Sequence, residues 1–158
     1  MIRTLVVGPN GKMGKAIIQL AQDHHMITIV GSVGPKGRKY IGRDLGAIAG
    51  VGDNIDAIAY DDMNEILPRC DMVVECTHAA ASLDILRQCV AAGKAFVSGT
   101  TGFSEAQRAQ FQKAGERIPV LLASNTSKIA QLLFHLIKLV AGKVGEKADI
   151  DIIEMHDR

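Results

Sequence analysis

Four stretches of this chain carry residues suited to holding a phosphate-bearing ligand, and a fifth could move a proton. The first is Gly8-Pro9-Asn10-Gly11-Lys12-Met13-Gly14, directly after the apolar run Leu5-Val6-Val7. Gly8 permits a sharp turn. Gly11 has no Cβ, so a pyrophosphate could approach the backbone. Gly14 lets a following helix press on the strand. The N–H groups and positive dipole end at such a helix start suit an anion. The spacing is G-x-x-G-x-x-G, and a turn of this kind can also join strand to helix with no ligand.

The second stretch is Gly34-Pro35-Lys36-Gly37-Arg38-Lys39. An acid at this place would take a ribose 2′-hydroxyl, whereas cations accommodate a 2′-phosphate. No acid occurs before Asp44. Either this is a solvated basic loop, or it clamps the 2′-phosphate of NADPH, with Arg38 binding bidentately and Lys36 or Lys39 as point charges. The third and fourth are Gly99-Thr100-Thr101-Gly102 and Ser124-Asn125-Thr126-Ser127, where small hydroxyl and amide groups follow expected strands. They could hydrogen-bond a ribose, a carboxamide or a carboxylate, or serve as an ordinary turn and a helix cap. The fifth is His156, beside Asp157 and Arg158. Both its protonation states are accessible near neutral pH, so it could give a proton.

The elements that must position these residues alternate. Arg3–Val7, Met26–Val33, Asp56–Tyr60, Asp71–Cys76, Lys94–Ser98 and Pro119–Ala123 read as strands, the first consecutively apolar as in a sheet covered on both faces. Lys12–Asp23, Asp62–Leu67, Ala79–Ala92 and a helix from Ser104 to about Gly115 read as helices, with a further turn inside the glycine-rich 40–56 stretch. Alternation of this kind implies an open, doubly wound parallel sheet of the Rossmann type, over residues 1–126. Residues 127–158 break the pattern. Ser127 caps an apolar helix over Ile129–Val144, and Asp149–His156 reads as a strand of a second unit. That helix and strand are expected to need partners from beyond Arg158 or from a second chain.

Composition narrows the function. The chain has 158 residues and a net charge of +1, so charge implies neither a nucleic-acid nor a membrane partner. It lacks Trp and has few aromatics, which argues against a base-stacking surface. Cys70, Cys76 and Cys89 fit no metal or disulfide pattern and read as reduced thiols. No metal site, signal peptide or membrane-spanning run is evident, which suits a cytoplasmic protein, or a plastid one without its transit peptide.

Taken together, these motifs resemble the dihydrodipicolinate reductase family. Val7–Gly14 is similar to its glycine turn, Gly99-Thr100-Thr101-Gly102-Phe103 to its G-T-T-G-F/Y loop, Ala123–Ser127 to its A-x-N-F/T-S segment, and Asp151–His156 to its strand ending in E-x-H. The resemblance implies NAD(P)H-dependent reduction of a cyclic unsaturated dicarboxylate on the route to diaminopimelate and lysine, by a homo-oligomer that is tetrameric in the family. It implies that Gly8, Pro9, Asn10, Gly11, Lys12, Met13, Gly99, Thr100, Thr101, Ala123, Ser124, Asn125 and Thr126 contact the cofactor, NADPH or NADH. Thr101 would also touch substrate, His156 would donate the proton, and residues 127–158 would begin an α+β domain for substrate binding and oligomerisation.

The chain departs from the family in several places. Asp157 stands where a second His contacts substrate, and a carboxylate there repels a dicarboxylate. Gly34-Pro35 replaces the usual acid or Arg. The family's K-x-D-x-P-S-G-T segment falls outside the 158 residues. Two other readings stay open: a dinucleotide-binding module without turnover, and another Rossmann-type amino-acid dehydrogenase.

Overall fold

The computed structural model describes residues 1–52, 54–151 and 153. They divide into two compact units, Met1–Ser124 and a second from Asn125 onward.

In the first unit β1 (Ile2–Val7) leads through the glycine turn into α1 (Lys12–Gln22) and then β2 (Ile27–Val33). There follow α2 (Leu45–Ala49), β3 (Ala59–Tyr60), α3 (Met63–Ile66) and β4 (Met72–Glu75). The unit closes with α4 (Ala79–Ala92), β5 (Ala95–Ser98), α5 (Glu105–Gly115) and β6 (Val120–Leu122). The six strands form one parallel sheet in the order β3-β2-β1-β4-β5-β6. Strand order reverses between β1 and β4, and in open α/β sheets that is where a crevice forms beyond the strand ends.

Period-two alternation along β1 explains why both faces need helices. Leu5 and Val7 enter a core with Met63, Ile66, Val73, Leu83, Leu86, Phe96 and Phe111, the side of α3, α4 and α5. Val6, between them, enters the opposite core with Ile18, Ile29, Leu45 and Ile48, the side of α1 and α2. Local signals set the helix ends. Ser104 and Gln107 form a reciprocal capping box on α5. Asp44 caps α2, its Oδ1 accepting from Gly46 N at 2.7 Å. Gly93, left-handed at φ 65°, ends α4.

The three cysteines are free thiols. Burial pushes Cys89 up to about 12 and also raises Cys70. Outside the protein core, the Arg3 guanidinium holds the Asp71 carboxyl well below the usual carboxylate range.

In the second unit Ser127 Oγ accepts from Ala130 N at 3.3 Å and caps α6 (Lys128–Val144). This matches the expected helix. Of the strand expected over Asp149–His156, Asp149, Ile150, Asp151 and Ile153 are in no strand, and the remaining positions lie outside the described residues. A strand is defined by its pairing, and none of the described residues pairs with this stretch. Ile152 and Glu154–Arg158 lie outside the described residues, His156 and Asp157 among them.

Gly14 controls the junction of β1 and α1. A Cβ there would collide with the Gly8 carbonyl oxygen and sit 2.9 Å from its carbon and 3.0 Å from Pro9 Cα. Those are backbone atoms and cannot swing aside. Gly14→Ala is therefore expected to destabilise the protein by about 3 kcal/mol, read from denaturant unfolding. A loss near zero would show that the junction relaxes freely.

Candidate functional site

The site is assembled from the carboxyl ends of the strands. Gly8 follows β1 at φ 79°, a left-handed conformation that a side chain would strain. Its N–H donates to Val33 O at 2.9 Å, which ties the turn to the end of β2. Gly11 N donates to Gly8 O at 3.2 Å, and Gly11 is the N-cap of α1 with no side-chain cap. A Cβ on Gly11 would meet only Gly8 O, at 3.5 Å. The turn is thus closed towards the sheet by Gly14 and open towards solvent at Gly11.

Facing it, the loop after β2 brings its cations to the same place. A cleft of about 640 Å³ is lined by Gly8, Asn10 and Gly11 from the turn, and by Pro35, Gly37, Arg38, Lys39 and Tyr40 from the loop. Glycine turn and basic loop, separate in sequence, are one site. Lys36 is exposed and does not line it. Pro9 is buried, whereas Lys12 and Met13 are exposed on the first turn of α1. Gly34, in the place of the usual acid, is covered by Tyr40. A Cβ there would collide with the phenol oxygen and lie 2.6 Å from Cε2. The Tyr40 ring occupies the space that a side chain at this position would take.

A second cleft, of about 620 Å³, shares Gly8 and Pro35 and continues to Thr77 and His78 beyond β4. Here sequence reasoning missed a residue. Glu75, the last of β4, is fully buried and accepts five hydrogen bonds. Its Oε2 takes Thr77 N at 2.9 Å, Thr77 Oγ1 at 2.7 Å and Thr100 Oγ1 at 2.9 Å. Its Oε1 takes Ser82 Oγ at 2.5 Å and Ser98 Oγ. The available signal was an acid closing an otherwise apolar strand, since a buried acid demands partners.

The GTTG loop therefore meets the β4 end through its second residue. Thr100 is buried in this cluster, and Thr77 N also donates to Thr100 Oγ1 at 2.8 Å. Thr101 is exposed and Gly99 half-buried. Cys76 sits against Gly99, and burial followed by the charge of Glu75 raises its thiol. Ala123 follows β6, its N–H donating to Ser98 O at 3.0 Å, and exposed Ser124 ends the unit. Asn125 and Thr126 belong to the second unit. There Asn125 Oδ1 accepts from Ser127 N at 2.9 Å and its carbonyl from Gln131 Nε2 at 2.7 Å.

The arrangement can hold an extended anionic ligand: an uncapped helix start, a Cβ-free backbone, two cations, and small hydroxyls along the neighbouring strand ends. The family described as dihydrodipicolinate reductase, N-terminus, matches residues 2–126. Two relatives named 4-hydroxy-tetrahydrodipicolinate reductase, from Anaeromyxobacter dehalogenans (strain 2CP-C) and Hahella chejuensis, are each 32% identical over all 158 residues. The chain spans 58% and 59% of their lengths. Among solved structures, dipicolinate-bound dihydrodipicolinate reductase from Paenisporosarcina sp. TG-14 superposes with a TM-score of 0.72 at 22% identity. It covers 89% of this chain and 54% of its own. Biliverdin reductase from Synechocystis, in complex with biliverdin and NADP+, reaches 0.68 at 17% identity, over 92% of this chain and 44% of its own. At such identities these two show the shared fold.

Gly11→Val is expected to fold, because the added Cβ meets one atom at an ordinary distance, and to place its methyls in the cleft. Calorimetry should show NADPH affinity at least about tenfold weaker than that of the parent protein. Unchanged affinity in a folded variant would remove the turn from the site.

Proposed function

Because this chain belongs to the dihydrodipicolinate reductase family, we propose that it is the dinucleotide-binding part of a 4-hydroxy-tetrahydrodipicolinate reductase. In this reading it takes part in NAD(P)H-dependent reduction of a cyclic dicarboxylate, in the cytoplasm, on the route to diaminopimelate and lysine. The whole enzyme is a homo-oligomer. One observation carries the reading: the glycine turn and the Arg38–Lys39 loop line one cleft, at the switch point of a sheet whose sequence matches this family.

The residues present fit a dinucleotide. Gly8 and Gly11 leave the backbone bare where a pyrophosphate would lie, and the start of α1 has no side-chain cap to compete with it. Arg38 and Lys39 neutralise phosphate charge. Thr77 and Thr101 face the route beyond β4 and β5, and Ala123, Ser124, Asn125 and Thr126 complete the nicotinamide end in this reading. The bound nicotinamide supplies the hydride. The protein's part is to orient it, to hold the substrate's carboxylate at Thr101, and to give a proton from His156. Asp157, beside that donor, repels a dicarboxylate unless a cation from elsewhere in the whole enzyme offsets it.

NADPH is the preferred cofactor in this proposal. Tyr40 takes the space of the acid that would select the 2′-hydroxyl of NADH, and Arg38 and Lys39 stand ready for a 2′-phosphate. Arg38→Ala should weaken NADPH binding by about tenfold while leaving NADH within about twofold, a charge-assisted contact being worth roughly 1.5–3 kcal/mol. Fluorescence titration of both cofactors against parent and variant decides it. Tighter binding of NADH than NADPH by the parent would contradict the preference.

A further inference from the structure

Glu75 lines neither cleft of the proposed site, yet its carboxyl ties together four segments at the β4 and β5 side of the crevice. It closes β4, and its five donors come from the β4–α4 turn, from α4, from β5 and from the loop after β5. The two oxygens divide the work. Oε1 is bound by Ser82 of α4 and Ser98 of β5, both fully buried inside the fold. Oε2 is bound by Thr77 and Thr100, which stand at the strand ends. Thr77 in turn reaches the glycine turn: its Cγ2 would lie 3.7 Å from a Cβ on Gly8. A chain of contacts thus runs from Ser82 and Ser98 through Glu75 to Thr77 and on to Gly8.

We propose that Glu75 is a positioning residue for dinucleotide binding, holding Thr77 against the glycine turn and Thr100 beside it so that the crevice between β1 and β4 is set before the ligand arrives. The inference rests on the dinucleotide reading above. Its physical basis is the carboxyl's acceptor capacity. A carboxylate offers about four lone-pair sites and no donor, so it can gather hydroxyl and amide donors from four segments at one point. All five donors here are neutral, so geometry is what Glu75 imposes on the crevice. Ser82 and Ser98 come within 3.3 Å of each other and can pair without it. At the strand ends the bond from Thr77 N to Thr100 Oγ1, 2.8 Å, remains without Glu75, but the Thr77 and Thr100 hydroxyls lose the oxygen they share, so the orientation of these two side chains is what Glu75 sets. Fixing binding groups in advance lowers the ordering cost of association.

The test measures NADPH affinity and thermal stability on the same samples of the 158-residue chain. Glu75→Ala should weaken NADPH by about tenfold, the scale of one or two lost buried hydrogen bonds. Glu75→Gln should stay within about threefold, because its carbonyl can keep the Thr77 and Thr100 donors while its amide donates to the serine hydroxyls. Ser82→Ala should lower the melting temperature and leave affinity within about twofold, since it touches only the inner oxygen. A purely structural Glu75 predicts something else: affinity that follows stability alike in Glu75→Ala and Ser82→Ala. That result overturns the proposal, as does a folded Glu75→Ala with parental affinity, or a Glu75→Gln as impaired as Glu75→Ala. If Glu75→Ala does not fold, Thr77→Val decides, since it removes one donor and keeps the branched shape. Affinity lowered about threefold or more supports the proposal, and parental affinity overturns it. A parent protein that binds no NADPH overturns the dinucleotide reading itself, and this inference with it.

Discussion

The contact on which this site depends is the backbone packing of Gly14 on Gly8. With no Cβ between them, the first turn of α1 lies directly on the residue that follows β1. That brings an uncapped helix start, with its free positive dipole end, to the edge of the sheet. Everything else is arranged around the place so made. β2 is tied to it by the Gly8–Val33 hydrogen bond, and the loop after β2 delivers Arg38 and Lys39 to its open side. The strand order reverses between β1 and β4, the place where a crevice opens beyond the strand ends.

A second constraint holds the far wall. Burying a carboxylate is costly unless its oxygens are filled, and Glu75 fills them with donors from separate segments. The strand ends of β4 and β5 are thereby fixed to each other by side chains as well as by the ladder. The near wall is different in kind. Arg38 and Lys39 are exposed, on a loop that the Tyr40 ring anchors over Gly34. A rigid wall and a cationic, more open one suit a ligand whose reacting end must be placed and whose phosphate end must be captured.

Much of this was legible in the residues. The Leu5–Val7 run, the glycine turn and the capping Ser104 each signal their element through local physics, and the strand–helix alternation implies the doubly wound sheet. Gly99–Thr101 and Ser124–Asn125 were recognisable as strand-end polar groups for the same reason. What escaped depends on contacts between distant residues. Glu75 reads as one acid at the end of an apolar strand, and its partners Ser98 and Thr100 lie more than twenty positions away. The basic loop reads as solvated or as a clamp, and only the fold places it opposite Gly11. Tyr40 over Gly34 is a packing event with no local signature. Alternation over Asp149–Asp151 states which face a strand would bury and not whether a partner exists, and these three residues are in no strand.

The claim at the centre of this account is that a dinucleotide lies across the carboxyl ends of β1, β2, β4 and β5. Amide chemical-shift mapping of the ¹⁵N-labelled chain during an NADPH titration tests it most directly. The account predicts saturable shifts concentrated at Gly8, Asn10, Gly11, Arg38, Lys39, Thr77 and Thr100. Shifts gathered instead on the groove between α4 and α5, around Val90 and Lys113, or none at saturating NADPH, would contradict it.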